Sequence, residues 1–201
     1  MESQYHPTKL KLIETTTELL RTVPHSEISS DLILTKSGIS KGSMYHHFED
    51  LEELIEIALL ERYAKWVDIS VGLMTQLLTN SNSSAEIYQG LVMVTKRTQD
   101  HSVSAERFFR AELLVKANES PRLQKRLRVL QDRLTDSLTD LVREAQERGF
   151  YKKNIDAKSI AVFIQAYTLG KIIDDSSENP VDPEAYSSLI NTIIKDVFLE
   201  G

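Results

Sequence analysis

Apolar residues in this chain recur at intervals of three and four along almost its whole length. That spacing places them on one face of an α-helix, and no stretch alternates apolar and polar residues for long enough to indicate a β-strand. The pattern breaks at residues that end or begin helices, such as Pro24, Gly38, Ser120-Pro121 and Asp182-Pro183. The sequence therefore predicts an all-α protein of eight or nine helices, with three short helices first.

Composition narrows the class of protein. The 201 residues are 41% hydrophobic and 27% charged, which is typical of a soluble globular chain with one domain or two small ones. No run approaches the ~18 apolar residues of a membrane span, and the N-terminus does not resemble a secretory signal, so we expect a cytoplasmic protein. The absence of cysteine excludes disulfides, thiolate catalysis and Cys-ligated zinc.

The most informative segment runs from Ser29 to Leu54. Ser29 or Ser30 is a suitable N-cap for a short helix, and Gly38 suits the left-handed position that follows its end. Ser40 then caps a second short helix that extends to about Phe48. The segment thus predicts two short helices joined by a tight glycine turn.

The second of these helices combines inward apolar residues with a polar outer face. Gly42 lets another backbone approach closely, and the other outward positions are Lys41, Ser43, Tyr45, His46 and His47. Such a face suits a recognition helix in the DNA major groove, with Tyr and His contacting phosphates. The net charge of −6 argues against nonspecific coating of nucleic acid but allows a local DNA-reading surface. Plain helix packing without DNA binding gives the same periodicity and remains the alternative.

The residues themselves favour DNA binding. Residues 38–48, G-I-S-K-G-S-M-Y-H-H-F, followed by L-E-E-L at 51–54, resemble the DNA-binding signature of the TetR family of bacterial transcriptional regulators. The rest of the chain resembles that family only in its layout. The resemblance implies a DNA-binding helix-turn-helix domain at residues 1–50 (the head) and a helical ligand-binding and dimerisation domain at residues 51–201 (the body).

The resemblance also implies a function and its partners. It predicts a homodimeric regulator, most often a repressor, that leaves its double-stranded DNA operator when a small-molecule effector enters the body. By position, the family's DNA contacts fall on Ser29, Ser30, Lys41, Ser43, Tyr45, His46 and His47.

Some positions depart from the family pattern. Asp31 stands where a basic or polar side chain is common, and Leu51 stands where a lysine often meets a phosphate. Residues 1–50 hold five Lys and Arg against seven Asp and Glu, a net charge of 5 − 7 = −2. These features support the alternative of a helical protein-interaction module that has lost DNA binding.

Aromatic residues of the body are candidates for a ligand pocket, because such pockets are mostly apolar with few polar groups. We predict a cavity between the helix that begins near residue 50 and the helices that carry the other aromatics. Glu112 is either a buried, ligand-orienting carboxylate or a surface partner of Lys116. The predicted pocket residues are Tyr63, Trp66, Phe108, Phe109, Glu112, Phe163 and Tyr167. A solid body without a cavity is the alternative.

The last two helices, about residues 157–175 and 183–199, carry more apolar residues than one face against a small body can bury. Wide apolar stripes mark interfaces, so we expect these helices to pair with their copies in a two-fold four-helix bundle.

Catalytic and metal-binding motifs are not evident in the sequence. His46 and His47 point about 100° apart on a helix and do not suit one metal ion. Asp174, Asp175 and Glu178 are interpreted as a solvated helix end. We therefore expect no catalytic residues, cofactor or metal, and an all-helical enzyme is the less favoured reading.

Overall fold

The computed structural model describes residues 5–24 and 27–200. Over these ranges the chain forms nine α-helices of at least seven residues, a four-residue helix and no strand, so the all-α prediction is confirmed. The α-helices are α1 (Pro7–Thr22), α2 (Ser30–Ser37), α3 (Lys41–His47), α4 (Leu51–Asn80), α5 (Ser84–Gln99), α6 (Ser104–Glu119), α7 (Pro121–Glu147), α8 (Ala157–Gly170), α9 (Ile172–Asp175) and α10 (Pro183–Ile193). A 3₁₀ turn occupies His101–Val103, a π-helical turn occupies Ile194–Phe198, and an isolated antiparallel bridge joins Tyr151 to Leu199.

Helix starts follow the capping residues read from the sequence. Ser120 accepts a hydrogen bond from the Leu123 amide at 3.2 Å at the start of α7. Asp182 likewise accepts one from Ala185 at 2.7 Å at the start of α10. A proline occupies the first turn of α1, α7 and α10, where its missing N–H costs nothing.

At the start of α4, Asp50 accepts a hydrogen bond from the Glu53 amide at 2.6 Å, and the Glu53 carboxylate accepts one from the Glu49 amide at 2.8 Å. Two other helix ends differ in detail from the predictions. The helix expected to run past Gly170 ends there, and Lys171 separates it from α9. The final helix changes to π-helical geometry after Ile193 instead of continuing as an α-helix.

Contacts within the chain divide it into two compact units, one that ends at Trp66 and one that begins at Val67. The first unit buries side chains of α1 to α4, among them Leu12, Ile33, Met44 and Leu54. The second unit has a separate apolar core, which includes Leu78, Ile87, Leu91, Val142, Ala145, Ile160, Ile190 and Phe198.

Candidate functional site

The turn between α2 and α3 has the geometry that the sequence predicts. Gly38 adopts φ 66° and ψ 19°, and its amide donates to the Leu34 carbonyl at 2.9 Å. This left-handed conformation is the one in which a glycine lacks the steric penalty of other residues. Ser40 then caps α3 by accepting a hydrogen bond from the Ser43 amide at 3.2 Å.

The two faces of α3 differ sharply. Met44 is fully buried, and Phe48 just beyond the helix is 2% exposed. Ser43 and His47 are half-buried, and the exposed positions are Lys41, Gly42, Tyr45 and His46. The apolar side of α3 thus holds the helix in the first unit, while its polar side faces outward.

Two of the predicted DNA-contacting serines retain a hydroxyl proton to donate. Ser29 accepts a hydrogen bond from the Leu32 amide at 3.2 Å, and this leaves the hydroxyl proton for another acceptor. Ser43 accepts from the Ser40 hydroxyl at 3.0 Å and in the same way keeps its own proton. Ser30, half-buried, opens α2 beside Ser29. Hydroxyls at helix N-termini are suited to phosphate oxygens.

His47 lies in a cluster of imidazole rings. Its ring centroid is 5.2 Å from that of His6, with the two rings stacked. It is also 5.2 Å from that of His46, with the two rings edge to face. Burial, together with the neighbouring His46, His6 and Lys9, lowers the pKa of His47 below its usual value. Near pH 7 His47 is therefore mainly a neutral donor and acceptor rather than a cation.

The aromatic residues predicted for the ligand pocket occupy several environments. In the first unit, buried Tyr63 stacks on half-buried Trp66 with 5.5 Å between centroids. On α6, Phe109 is buried, whereas Phe108 is 44% exposed and Glu112 is exposed.

On α8, the Phe163 ring lies 5.5 Å from those of both Tyr167 and Phe198. That these residues share one cavity with the aromatics of α4 and α6 stays a prediction.

A cavity of about 30 Å³ lies within the second unit. A space of this size holds about one water molecule. Its lining is apolar apart from one phenol: Met74, Leu77, Leu78, Ile87, Leu91, Leu138, Leu141, Val142, Ala145, Tyr151 and Ile164. Burial raises the pKa of the Tyr151 phenol well above its usual value, so this hydroxyl stays neutral.

Asp175 is buried, contrary to its interpretation as part of a solvated helix end. Its side chain is 0% exposed, and its carboxylate accepts hydrogen bonds from the Arg107 guanidinium. The prediction was wrong because an acidic pattern at a helix end does not reveal the cation that pairs with it. That cation, Arg107, lies 68 residues away in the sequence.

The described ranges hold neither a helix suited to span a membrane nor a cluster of metal-ligating side chains. None of the helices there combines the length and hydropathy of a membrane span. Among the same residues, no three His, Asp or Glu side chains are grouped as metal ligands would be.

The known proteins that resemble this chain in sequence include two named as helix-turn-helix regulators. No family model matches the chain. The HTH-type transcriptional regulator UidR of Escherichia coli strain K12 is 18% identical over 194 residues, which cover 96% of this chain and 94% of UidR. The HTH-type transcriptional repressor KstR2 of Mycobacterium tuberculosis strain H37Rv is 25% identical over 137 residues, which cover 66% of this chain and 63% of KstR2.

The fold of this chain is similar to that of a solved structure. A putative TetR-family regulator from Mesorhizobium loti superposes with a TM-score of 0.74 at 17% identity, covering 99% of this chain and 100% of the other. The chain therefore has the fold of that regulator and is similar in sequence to proteins named as helix-turn-helix regulators. In this chain α2, Gly38 and α3 form the corresponding helix, turn and helix.

The helix-turn-helix is predictable from the sequence, whereas two buried polar residues of the second unit are not. Arg107 and Gln99 are both buried, although residues of these types are mostly exposed. Gln99 is the last residue of α5, where a polar residue is typical of a solvated helix end. The sequence feature that indicates its burial is helical spacing, which places Gln99 four residues after the buried Thr95.

Proposed function

We propose that this protein is a cytoplasmic repressor that binds operator DNA as a homodimer and releases it when a small-molecule effector occupies its body. The observation that carries the proposal is the two-sided α3, with Met44 buried on one side and Lys41 and Tyr45 exposed on the other. A helix held in this way presents a fixed set of donors to a DNA groove.

Each group on this surface suits a particular contact. Lys41 and Gly42 lie in the first turn of α3, where recognition helices meet base edges and the backbone approaches closely. Tyr45 and His46 lie further along and suit phosphates, which position the protein without specifying sequence. Ser29 and Ser30 add hydroxyl and amide donors at the start of α2, and Ser43 and His47 complete the surface.

Exposed apolar side chains on the last helices support dimerisation. Val162 and Phe163 on α8 are 48% and 40% exposed, and Leu189 on α10 is 56% exposed. Apolar surface of this kind on two long helices is suited to a self-complementary, two-fold contact. Sedimentation equilibrium at micromolar concentration tests this assembly: a dimer is expected, and a monomer contradicts it.

The effector acts on DNA binding through helix α4 in this proposal. Residues of α4 belong to both units, with Leu51 and Leu54 near its start and Trp66 at the end of the first unit. A dimer must match recognition helices to grooves about 34–36 Å apart, or a multiple of this. An effector that binds another arrangement of the dimer more tightly weakens operator binding. The loss is limited to the difference between the effector's binding free energies for the two arrangements, typically about 1–3 kcal/mol.

Trp66 reports on this coupling because it is the only tryptophan in the chain. Candidate effectors are titrated while Trp66 fluorescence and operator affinity are both measured. The proposal expects both to change over the same concentration range. Compounds that bind the body tightly and leave operator affinity unchanged in every case would instead indicate constitutive DNA binding.

A further inference from the structure

A groove of about 360 Å³ lies in the second unit between α5 and α10, and none of the residues predicted to hold an effector lines it. Most of its lining side chains carry a polar group, among them two carboxamides and four hydroxyls. The lining residues are Tyr88, Val92, Lys96, Gln99, Asp100, Pro183, Glu184, Ser187, Ser188, Asn191 and Thr192.

Both carboxamides of this groove hold buried atoms that have no hydrogen-bond partner among the described residues. Gln99 is only 4% exposed, yet neither its Nε2 nor its Oε1 has a hydrogen-bond partner among the described residues. The buried Oδ1 of Asn191, across the groove on α10, is in the same condition within the described ranges. Buried polar groups are nearly always hydrogen-bonded, because leaving one unsatisfied carries its full desolvation cost.

The backbone around Gln99 is held by hydrogen bonds from Arg107 and Ser102, neither of which lines the groove. Arg107 donates hydrogen bonds to the Thr98 carbonyl at 2.7 Å and to the Asp100 carbonyl at 3.1 Å. Asp100 Oδ1 also accepts a hydrogen bond from the Ser102 amide at 2.8 Å. The carbonyls on both sides of Gln99 are therefore fixed in place.

We propose that this groove binds a small, neutral, polyhydroxylated molecule. The unsatisfied atoms are one NH₂ donor and two carbonyl acceptors, and a hydroxyl group satisfies either kind because it both donates and accepts. Each of these atoms is buried, so its side chain must turn toward the groove to meet a ligand. Asp100 and Glu184 on the groove balance the charges of Lys96 and of Lys195, whose Nζ lies 5.9 Å from the Tyr88 ring centroid, so no excess of positive charge favours an anion. The Tyr88 ring and Val92 offer apolar contact to the carbon skeleton of such a ligand.

This inference concerns binding alone. Ligand binding to the groove is independent of DNA binding, because it is inferred from the unsatisfied groups and not from the helix-turn-helix. Absence of operator binding would therefore not contradict ligand binding to the groove. Absence of probe binding to the groove would likewise not contradict the proposed DNA-binding function.

The test is a titration of the full-length ¹⁵N-labelled protein with myo-inositol, glucose and glycerol as neutral probes. The side-chain NH₂ resonances of Gln99, assigned by their loss in Gln99→Leu, are followed by NMR. Inositol monophosphate serves as the anionic counterpart. We expect a saturable shift of the Gln99 resonances with at least one neutral probe, and at least about tenfold weaker binding of the phosphate.

Two variants separate a binding role from a structural one. Gln99→Leu keeps the side-chain volume and removes the unsatisfied carboxamide, so we expect an equal or higher Tm with at least about tenfold weaker probe binding. Gln76→Leu, at an exposed position on α4, is the matched control and leaves probe binding unchanged.

Three results would overturn the proposal. One is that no neutral probe moves the Gln99 resonances at tens of millimolar while the NH₂ protons show a cross-peak to water, which assigns the groove to solvent. Another is a lower Tm in Gln99→Leu, which means that the carboxamide is satisfied within the protein. The third is tighter binding of inositol monophosphate than of myo-inositol.

Discussion

Arg107 and Asp175 form a bidentate ion pair inside the second unit, with Nε 2.5 Å from Oδ2 and the second guanidinium nitrogen 2.8 Å from Oδ1. Their side chains are 1% and 0% exposed. Because Arg107 also binds two carbonyls near the end of α5, the pair joins α5, α6 and α9. Lys171, itself buried, adds a second cation 3.7 Å from Asp175.

Breaking this pair destabilises the fold. Arg107→Met leaves the Asp175 charge and two carbonyls with fewer donors, and we expect the free energy of unfolding to fall by about 3–5 kcal/mol. Urea denaturation measures the loss. Arg133→Met removes an exposed pair, in which Arg133 lies 2.9 Å from Asp68, and the expected loss is only about 0–1 kcal/mol. Equal losses in the two variants would contradict a dominant role for the buried pair.

Acid weakens the fold through the same carboxylate. Burial disfavours the charged form of Asp175, but the hydrogen bond and charge of Arg107, with Lys171, hold its pKa below the usual value. The unfolded state therefore binds a proton first as the pH falls below about 4, and the stability contributed by Asp175 is lost as the pH falls through its folded pKa. Denaturation curves at several pH values check this.

Asp175→Asn is the control for the acid effect. Between pH 5 and pH 3, approximately the range in which carboxylates titrate, its free energy of unfolding should fall less than that of the wild type. Some dependence will remain, because Asp100, Asp156 and Asp174 also have lowered pKa values from their hydrogen bonds. If the free energy of unfolding of this variant depends on pH as steeply as that of the wild type, the assigned role of Asp175 is wrong.

Two glycines only four residues apart should respond oppositely to alanine. Gly38→Ala forces a side chain into φ 66° and should cost about 1–2 kcal/mol of stability. Gly42→Ala meets nothing within 4 Å and gains helix propensity, so stability should rise by up to about 1 kcal/mol. If Gly42 admits the DNA backbone, that variant binds operator more weakly although it is more stable. Thermal melts and DNA anisotropy separate the two effects.

Lys41→Ala and Tyr45→Phe should weaken operator binding with little change in Tm, because both side chains are exposed. Loss of the Lys41 phosphate contact reduces the slope of log affinity against log salt by about one. Lys125→Ala, at an exposed position on α7, is the control and should retain the wild-type slope. Wild-type affinity in both head variants would show that the contact assignment is wrong.

The sequence predicted the head well because its information is local. Gly38, Ser40 and the apolar spacing around Met44 act within one or two helical turns, and the structure places each as expected. The buried pair of Arg107 and Asp175 depends on residues 68 apart, and no local pattern encodes such a contact. The sequence likewise does not indicate that the Gln99 carboxamide and the Asn191 Oδ1 are buried without a partner among the described residues, since burial of a polar side chain is a property of tertiary packing.

Footprinting of DNA from the region upstream of the gene distinguishes an operator-binding regulator from a protein-interaction module. The wild-type protein should protect two near-palindromic half-sites whose centres are separated by about 34–36 Å, or a multiple of this, and Lys41→Ala should weaken protection of both together. Uniform, sequence-independent protection, or none at concentrations where the protein is folded, would contradict operator binding and favour a protein-interaction role for the acidic head.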